Sequence, residues 1–386
     1  MATFTSTTDG NLNDGGTYGN TSPGVAGTDY PDSDDICVVG ADTTVTLAVD
    51  DEVLALKITG TGSPGTLVGG DNTITLNGAT SNKPLDNDGV ISGDLNVIIT
   101  NTGVQQDGLL LDGMGSSGNI NDLTINMANG TTANKTIGIA SDHTFDGDFT
   151  ITSGTFSTVF DGGDARGLTV TGGTSIESGG TLTCNASAIS LGSGVKAGVP
   201  FGLNVSGGTF TGGTGTHTIG SIRFSSGTFV FSAGATELNG SETGSSLAFL
   251  YVNADVTHSS GTITVTTDVA SNMLLFTTSL TLNNLIIDSG AVHKIWTEKT
   301  DGSNENTLTC AGYLTITDGT LGTKYSSQDV VNLTVTGTTT VGDGSAAADV
   351  ATLTCNGSTM TLGSGIAGWG LHVKEGGTFN GGTGAH

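Results

Sequence analysis

Short runs in which apolar and small polar residues alternate recur along the chain: Val45-Thr-Leu-Ala-Val49, Leu168-Thr-Val-Thr171, Phe229-Val-Phe231, Ile263-Thr-Val-Thr266 and Leu280-Thr-Leu-Asn283. A period of two sends successive side chains to opposite faces of an extended strand. Each run therefore predicts a strand of about three to five residues with its apolar side turned inward. Between the runs stand Ser-Gly-Thr, Gly-Gly-Thr and Asp-Gly-Thr strings, beginning at Ser153, Gly172, Gly179, Gly207, Ser226, Ser260 and Asp318. Glycine supplies the positive φ that a corner between strands requires. Strands joined by one-glycine corners predict an all-β chain wound as a right-handed parallel β-solenoid, in which stacking hides the strand edges. A repeated β-sandwich or jelly roll is the rival architecture, but it calls for hairpin turns at regular spacing and does not need self-similarity.

Self-similarity is what the chain has. Phe149-Thr-Ile-Thr-Ser-Gly-Thr-Phe156 returns as Leu314-Thr-Ile-Thr-Asp-Gly-Thr-Leu321, an offset of 165 residues. Leu168-Thr-Val-Thr-Gly returns at Leu333, Thr181-Leu-Thr-Cys-Asn at Thr352 and Leu191-Gly-Ser-Gly at Leu362. Gly207-Gly-Thr-Phe-Thr-Gly-Gly-Thr-Gly-Thr-His217 returns as Gly376-Gly-Thr-Phe-Asn-Gly-Gly-Thr-Gly-Ala-His386. The offset drifts from 165 to 171 and back to 169, the mark of small loop insertions in a repeat array. The organisation read from this is an N-terminal cap or attachment segment over 1–50, a first β-rich section over 51–144, a long repeat over 145–309 and an incomplete second copy over 310–386. The first copy runs on past His217 to Phe229 while the second stops at His386, so the sequence reads as a fragment, or as a coil continued by more protein.

Composition agrees with strands: Gly makes up 64 of 386 residues and Pro only 5, and glycine and β-branched threonine both disfavour helices. Charge narrows the partners. Asp plus Glu number 36 against 10 for Lys plus Arg, a net charge of −26, with Arg only at 166 and 223. No basic stripe is present to release counterions from phosphates, so the expectation is neither nucleic-acid binding nor attraction to an anionic bilayer. The cysteines at 37, 184, 310 and 355 lie far apart without CxxC or zinc-ligand spacing, which predicts no disulfide framework and no zinc site. Cys184 and Cys355 occupy equivalent repeat positions and are expected to point inward as small apolar residues. The start carries no basic segment followed by an apolar one, so no Sec-type leader is read, and no apolar stretch is long enough for a membrane span.

The opening Thr7-Thr-Asp-Gly-Asn-Leu-Asn-Asp-Gly-Gly-Thr-Tyr-Gly19 through Pro23, with Thr44-Val-Thr-Leu47, resembles the starts of β-solenoid virion proteins of marine tailed bacteriophages. The Gly-Gly-Thr-Phe-Thr-Gly-Gly-Thr-Gly-Thr-His and Ser-Ser-Gly-Thr-Phe strings are similar to their repeat bodies. The resemblance implies a non-enzymatic fibre, spike or capsid-attached appendage assembled in the host cytoplasm. Its partners would be other virion proteins through the N-terminal segment, a host-surface glycan or protein, and further copies of itself. A bacterial surface adhesin and a β-helical polysaccharide depolymerase are the alternatives.

Polysaccharide cleavage on a β-helix needs paired carboxylates at a defined separation, or a base with cations that stabilise an enolate. Asp146-Gly-Asp148 with Asp161-Gly-Gly-Asp164 and Arg166 is the compact acidic group that could offer them. Asp beside Gly more commonly caps a corner through its own backbone, and the second copy reads Ser326-Ser-Gln-Asp329 at the matching place, so no catalytic residue is assigned. Asp86-Asn-Asp88-Gly echoes part of a calcium loop, but Pro84 and Leu95 stand where an EF-hand has its first and last ligands. Asp86 and Asp88, with Asp32, Asp34 and Asp35, are the secondary candidates for Ca²⁺. No other cofactor is expected. His217 and His386 are repeat-equivalent and are read as turn or ladder residues rather than ligands.

Overall fold

The protein, seen in a computed structural model, is described over residues 1–60, 62–78, 83–100, 109–112, 120–127, 136–159, 163–192, 201–241, 248–275, 279–297, 306–324, 331–345, 350–363 and 369–383. It is all-β with parallel strands stacked as a β-solenoid, and among the described residues its helix is the single 3₁₀ turn Gly15–Tyr18. Two compact units divide it, Met1–Ser187 and Ala188–His386. The division falls inside the long repeat rather than at its edge. In a solenoid each coil touches only its neighbours, so compactness alone does not single out a repeat boundary.

In the first unit, Leu123 pairs with Phe149 and Phe149 with Thr174, while Ile125, Ile151 and Ile176 form the parallel row beside them. All are buried, and the intervening row of Thr124, Thr150 and Ser175 is half-exposed. The alternation seen in the sequence has thus become an apolar interior and a hydroxyl-bearing exterior. The second unit repeats the scheme with Leu308, Leu333 and Met360 inside and Thr309, Thr334 and Thr361 on the opposite face. Coil length varies: Leu203 pairs with Ile222 nineteen residues on, and Leu285 with Leu314 twenty-nine on. The strand rows stay in register while the connections absorb the difference, as the drifting repeat offset anticipates.

Aromatic rings pack against one another inside both units. Phe149 lies 4.9 Å from Phe156 and 5.4 Å from Phe145 in the first unit; Phe229 lies 4.8 Å from Phe210 and 4.9 Å from Phe231 in the second. Fully burying each such ring stabilises by about 1.5–3 kcal/mol, with about 0.5–1.5 kcal/mol more for each well-oriented pair.

The duplication holds at atomic detail. Phe149–Ser157 and Leu314–Gly322 are both nine-residue strands with the same succession of buried and half-buried positions. Thr158 Oγ1 donates to the Cys184 carbonyl at 2.7 Å and accepts from Ser187 Oγ at 2.7 Å. In the second copy Thr323 Oγ1 donates to the Cys355 carbonyl at 2.8 Å and lies 2.6 Å from Ser358 Oγ. Asn185 and Asn356, at φ 53° and 50°, turn the chain after the two cysteines. All four cysteines are free and buried.

The N-terminal segment is woven into the end of the solenoid. Thr3–Thr5 pairs with Ile36–Val39, and Gly10–Asn11 with Thr44–Thr46. Tyr18 folds back so that its ring meets Phe4 edge-on at 5.8 Å and its hydroxyl donates to the Leu12 carbonyl at 3.0 Å.

Candidate functional site

Beside this N-terminal end lies a concave site of about 320 Å³ whose wall includes Tyr30, Asp32, Ser33, Asp50, Asp51 and Glu52. Local backbone geometry brings the acids there. Asp51 opens the strand Asp51–Val53, which pairs with Ile74–Leu76, and the excursion between Asn11 and Ile36 returns Asp32 to the same side. Several carboxylate oxygens are engaged by the fold. Asp50 accepts from the Thr73 amide at 2.7 Å, Asp32 from the Asp34 amide at 3.0 Å, and Glu52 from the Asn77 side chain at 2.7 Å. Burial, with the Glu52 charge beside it, pushes the Asp51 carboxyl above the ordinary carboxylate range, while the Glu52 amide pulls the other way. Such a cavity favours a cationic group and rejects an anion.

Of the three acids singled out near the N-terminus, only Asp32 faces this cavity. Asp34 is exposed, and Asp35 is buried, accepting from the Ala2 amide with the terminal amine 3.9 Å away. Asp50, Asp51 and Glu52 were not singled out from the sequence. Their signal was an acidic run directly after an alternating strand, but only folding places that run opposite Asp32. Asp86 forms ion pairs with Lys57 and, at 3.6 Å, with Lys83, while Asp88 points to solvent. Among the described residues no group of three or more His, Cys, Asp or Glu side chains is arranged to hold a metal ion.

The acidic group in the long repeat is spread along corners. Asp148 accepts from the Gly173 amide of the next coil at 2.8 Å, and its own amide donates to Asp122 of the preceding one at 2.7 Å. Asp142 likewise accepts from the Gly167 amide of the next coil at 2.7 Å. Asp164 is 90% exposed, 3.8 Å from Arg166, and Asp146 is half-buried. Asp161 lies outside the described residues, as do Ser326 to Asp329 and His386. Asp148 and Asp142 thus satisfy backbone amides from coil to coil, the corner role that Asp beside Gly suggests.

Three histidines are sealed inside. His143 and His217 have no hydrogen-bond partner on either ring nitrogen, and burial pushes both down to about 4, with a nearby Gly212 backbone group partly opposing the shift at His217. His293 is also lowered by burial, yet it is held between Ser271 Oγ at 3.0 Å and Ser289 Oγ at 2.6 Å. His217 takes a ladder position, its Cα partners being Ile189 and Thr236.

Comparison with known proteins gives no match to any family model, to any curated protein or to any solved structure.

Proposed function

We propose that this chain is a non-enzymatic structural component of a virion, a fibre, spike or capsid-attached appendage that presents its outer faces to a host surface. The observation that carries the reading is the duplicated, stacked interior, in which the same Thr–Cys–Ser hydrogen bonds recur in both copies. Repetition of a structural rung adds stiffness and outer surface without adding a reaction centre. The carboxylates of Asp142 and Asp148 support it further, since each serves a backbone amide rather than a shared cleft. The mechanism is geometric: many copies on one particle convert weak contacts into avidity. The acidic cavity beside the N-terminal strands suits a lysine or arginine side chain of a neighbouring virion protein, which would make that end the attachment end.

Immunogold electron microscopy of the native source tests this directly. Gold confined to phage-like particles supports the proposal; gold on cell envelopes sinks it in favour of a surface adhesin.

A further inference from the structure

The strands Leu280–Leu282, Thr307–Cys310, Asn332–Val335 and Met360–Leu362 form a sheet of their own on one side of the second unit, parallel and without a register shift. The pairing of Leu203–Thr211 with Ile222–Val230, by contrast, shifts twice. Leu280, Leu308, Leu333 and Met360 are buried beneath this side. Above it the Cα partners run Thr281 to Thr309, Thr309 to Thr334 and Thr334 to Thr361, one threonine per coil. A second outward file, two residues earlier in each strand, holds Thr307 and Thr359, with Ser279 and Asn332 in the alternate coils. That file ties the coils together: Ser279 Oγ accepts from the Thr307 amide, and Asn332 Oδ1 from the Thr359 amide, each at 2.9 Å. Thr359 and Thr361 are exposed, and the other four threonines are half-buried.

The six threonine hydroxyls have no hydrogen-bond partner among the described residues, whereas Thr266 donates to Glu237 at 2.8 Å and Thr317 to Asp288 at 2.7 Å on the adjoining side. No charged side chain and no aromatic ring stands in either file, although the chain carries 36 acids. A polyelectrolyte finds no counter-charge here, and a sugar finds no ring to stack on. A second copy is a poor fit as well. Four coils by two files span on the order of 200 Å² at ordinary strand spacings, against about 800 Å² per partner in a stable dimer. What this side does present is a neutral lattice. A stiff χ1 fixes each threonine hydroxyl and methyl. Neighbouring coils repeat them about 4.8 Å apart, and alternate residues along a strand about 6.6 Å apart. Both repeats lie near those of the water oxygens on a prism face of ice.

We propose that this threonine side is an ice-binding face. Waters held on the free hydroxyls, with the methyl groups lining the troughs between coils, take up a spacing that a growing ice front continues. The stacked interior keeps the lattice rigid, so little order has to be gained on adsorption. Each adsorbed molecule pins the front, which must then bulge between pinning points, and that curvature lowers its freezing temperature. The inference goes beyond the reading of the chain as a virion component and stands without it.

The test grows single ice crystals, held just below the melting point, in solutions of the full chain and of serum albumin. Faceted crystals with arrested growth are expected with the chain, and round discs with albumin. Thr309→Lys and Thr361→Lys each set a hydrated charge into the central file and should abolish the faceting. Thr340→Lys, at a half-buried outward position on the adjoining side, should leave it intact. Circular dichroism melting confirms that each variant is folded; Thr361 is exposed, so its variant keeps the test decisive if Thr309→Lys unfolds. Round discs with the parent chain overturn the proposal. So does faceting that survives in a folded Thr309→Lys or Thr361→Lys, or that is lost equally in Thr340→Lys. A dimer in sedimentation velocity that Thr309→Lys disrupts, together with round discs, assigns the face to a second copy and also overturns it.

Discussion

A histidine sealed inside a solenoid is cut off from bulk solvent, and at positions 143 and 217 burial outweighs whatever the surrounding protein offers the charged ring. Both stay neutral in the folded chain down to about pH 4, against about 6.5 when unfolded. Between those values the unfolded chain takes up protons that the folded one refuses, so stability falls as pH falls through the window, by on the order of 3 kcal/mol per histidine. Melting midpoints at pH 7.5 and 4.5 should therefore drop more in the parent than in His143→Leu, which removes one titration; equal drops would show that His143 is hydrated. The cysteines give a second residue-scale prediction. Burial raises Cys37 and Cys310 to about 12 and Cys355 to about 11, and Cys184 is raised as well. A thiol-reactive dye at pH 8 should label none in the native chain and four after denaturation, because the thiolate is the reacting form. Gly319 is constrained differently: at φ 77°, an added Cβ would lie 2.0 Å from the Ser289 carbonyl oxygen. Gly319→Ala should cost about 2 kcal/mol or more, measured by chemical denaturation. The string Asp318-Gly-Thr already predicted a corner glycine, whereas the close approach of the preceding coil came only from stacking.

At the scale of the element, the rungs are held by what faces inward and by what ties one coil to the next. Phe149→Ala empties a ring-sized space between Phe145 and Phe156 and should cost about 3–5 kcal/mol. Thr158→Val keeps the shape but strands the Ser187 hydroxyl and leaves the Cys184 carbonyl with the Ser187 amide alone, at about 1–3 kcal/mol. Thr323→Val should cost the same within error, because its partners are the same; unequal losses by urea denaturation would break the equivalence of the copies. The strands themselves were readable in advance, since alternation such as Leu168-Thr-Val-Thr171 leaves one face apolar whichever neighbours it meets. The Thr158 bonds were not, because their partners stand 26 and 29 residues away and only coil length brings them together. The same holds for Arg223 and Tyr251, which no local motif links.

For the whole molecule, a near-neighbour contact pattern means that damage in one unit is felt first in that unit. Both tryptophans, Trp296 and Trp369, belong to Ala188–His386, so their emission reports that unit while circular dichroism reports all strands. In Phe149→Ala the dichroism transition should begin at lower temperature than the emission transition; coincident transitions would mean that the chain melts as one.

By itself the sequence determined the strand type, the parallel stacking and the duplication, because each follows from a period that persists under any arrangement of loops. It also set the sign of the field that any partner meets, since a net charge of −26 acts out to the screening length of the solvent. Tertiary structure alone decided that Asp50, Asp51 and Glu52 share a cavity with Asp32, that Asp148 caps Gly173, and that the Arg223 guanidinium lies over the Tyr251 ring. Those groupings depend on the number of residues in each coil, and the irregular Gly-rich connections that set it carry no period to read.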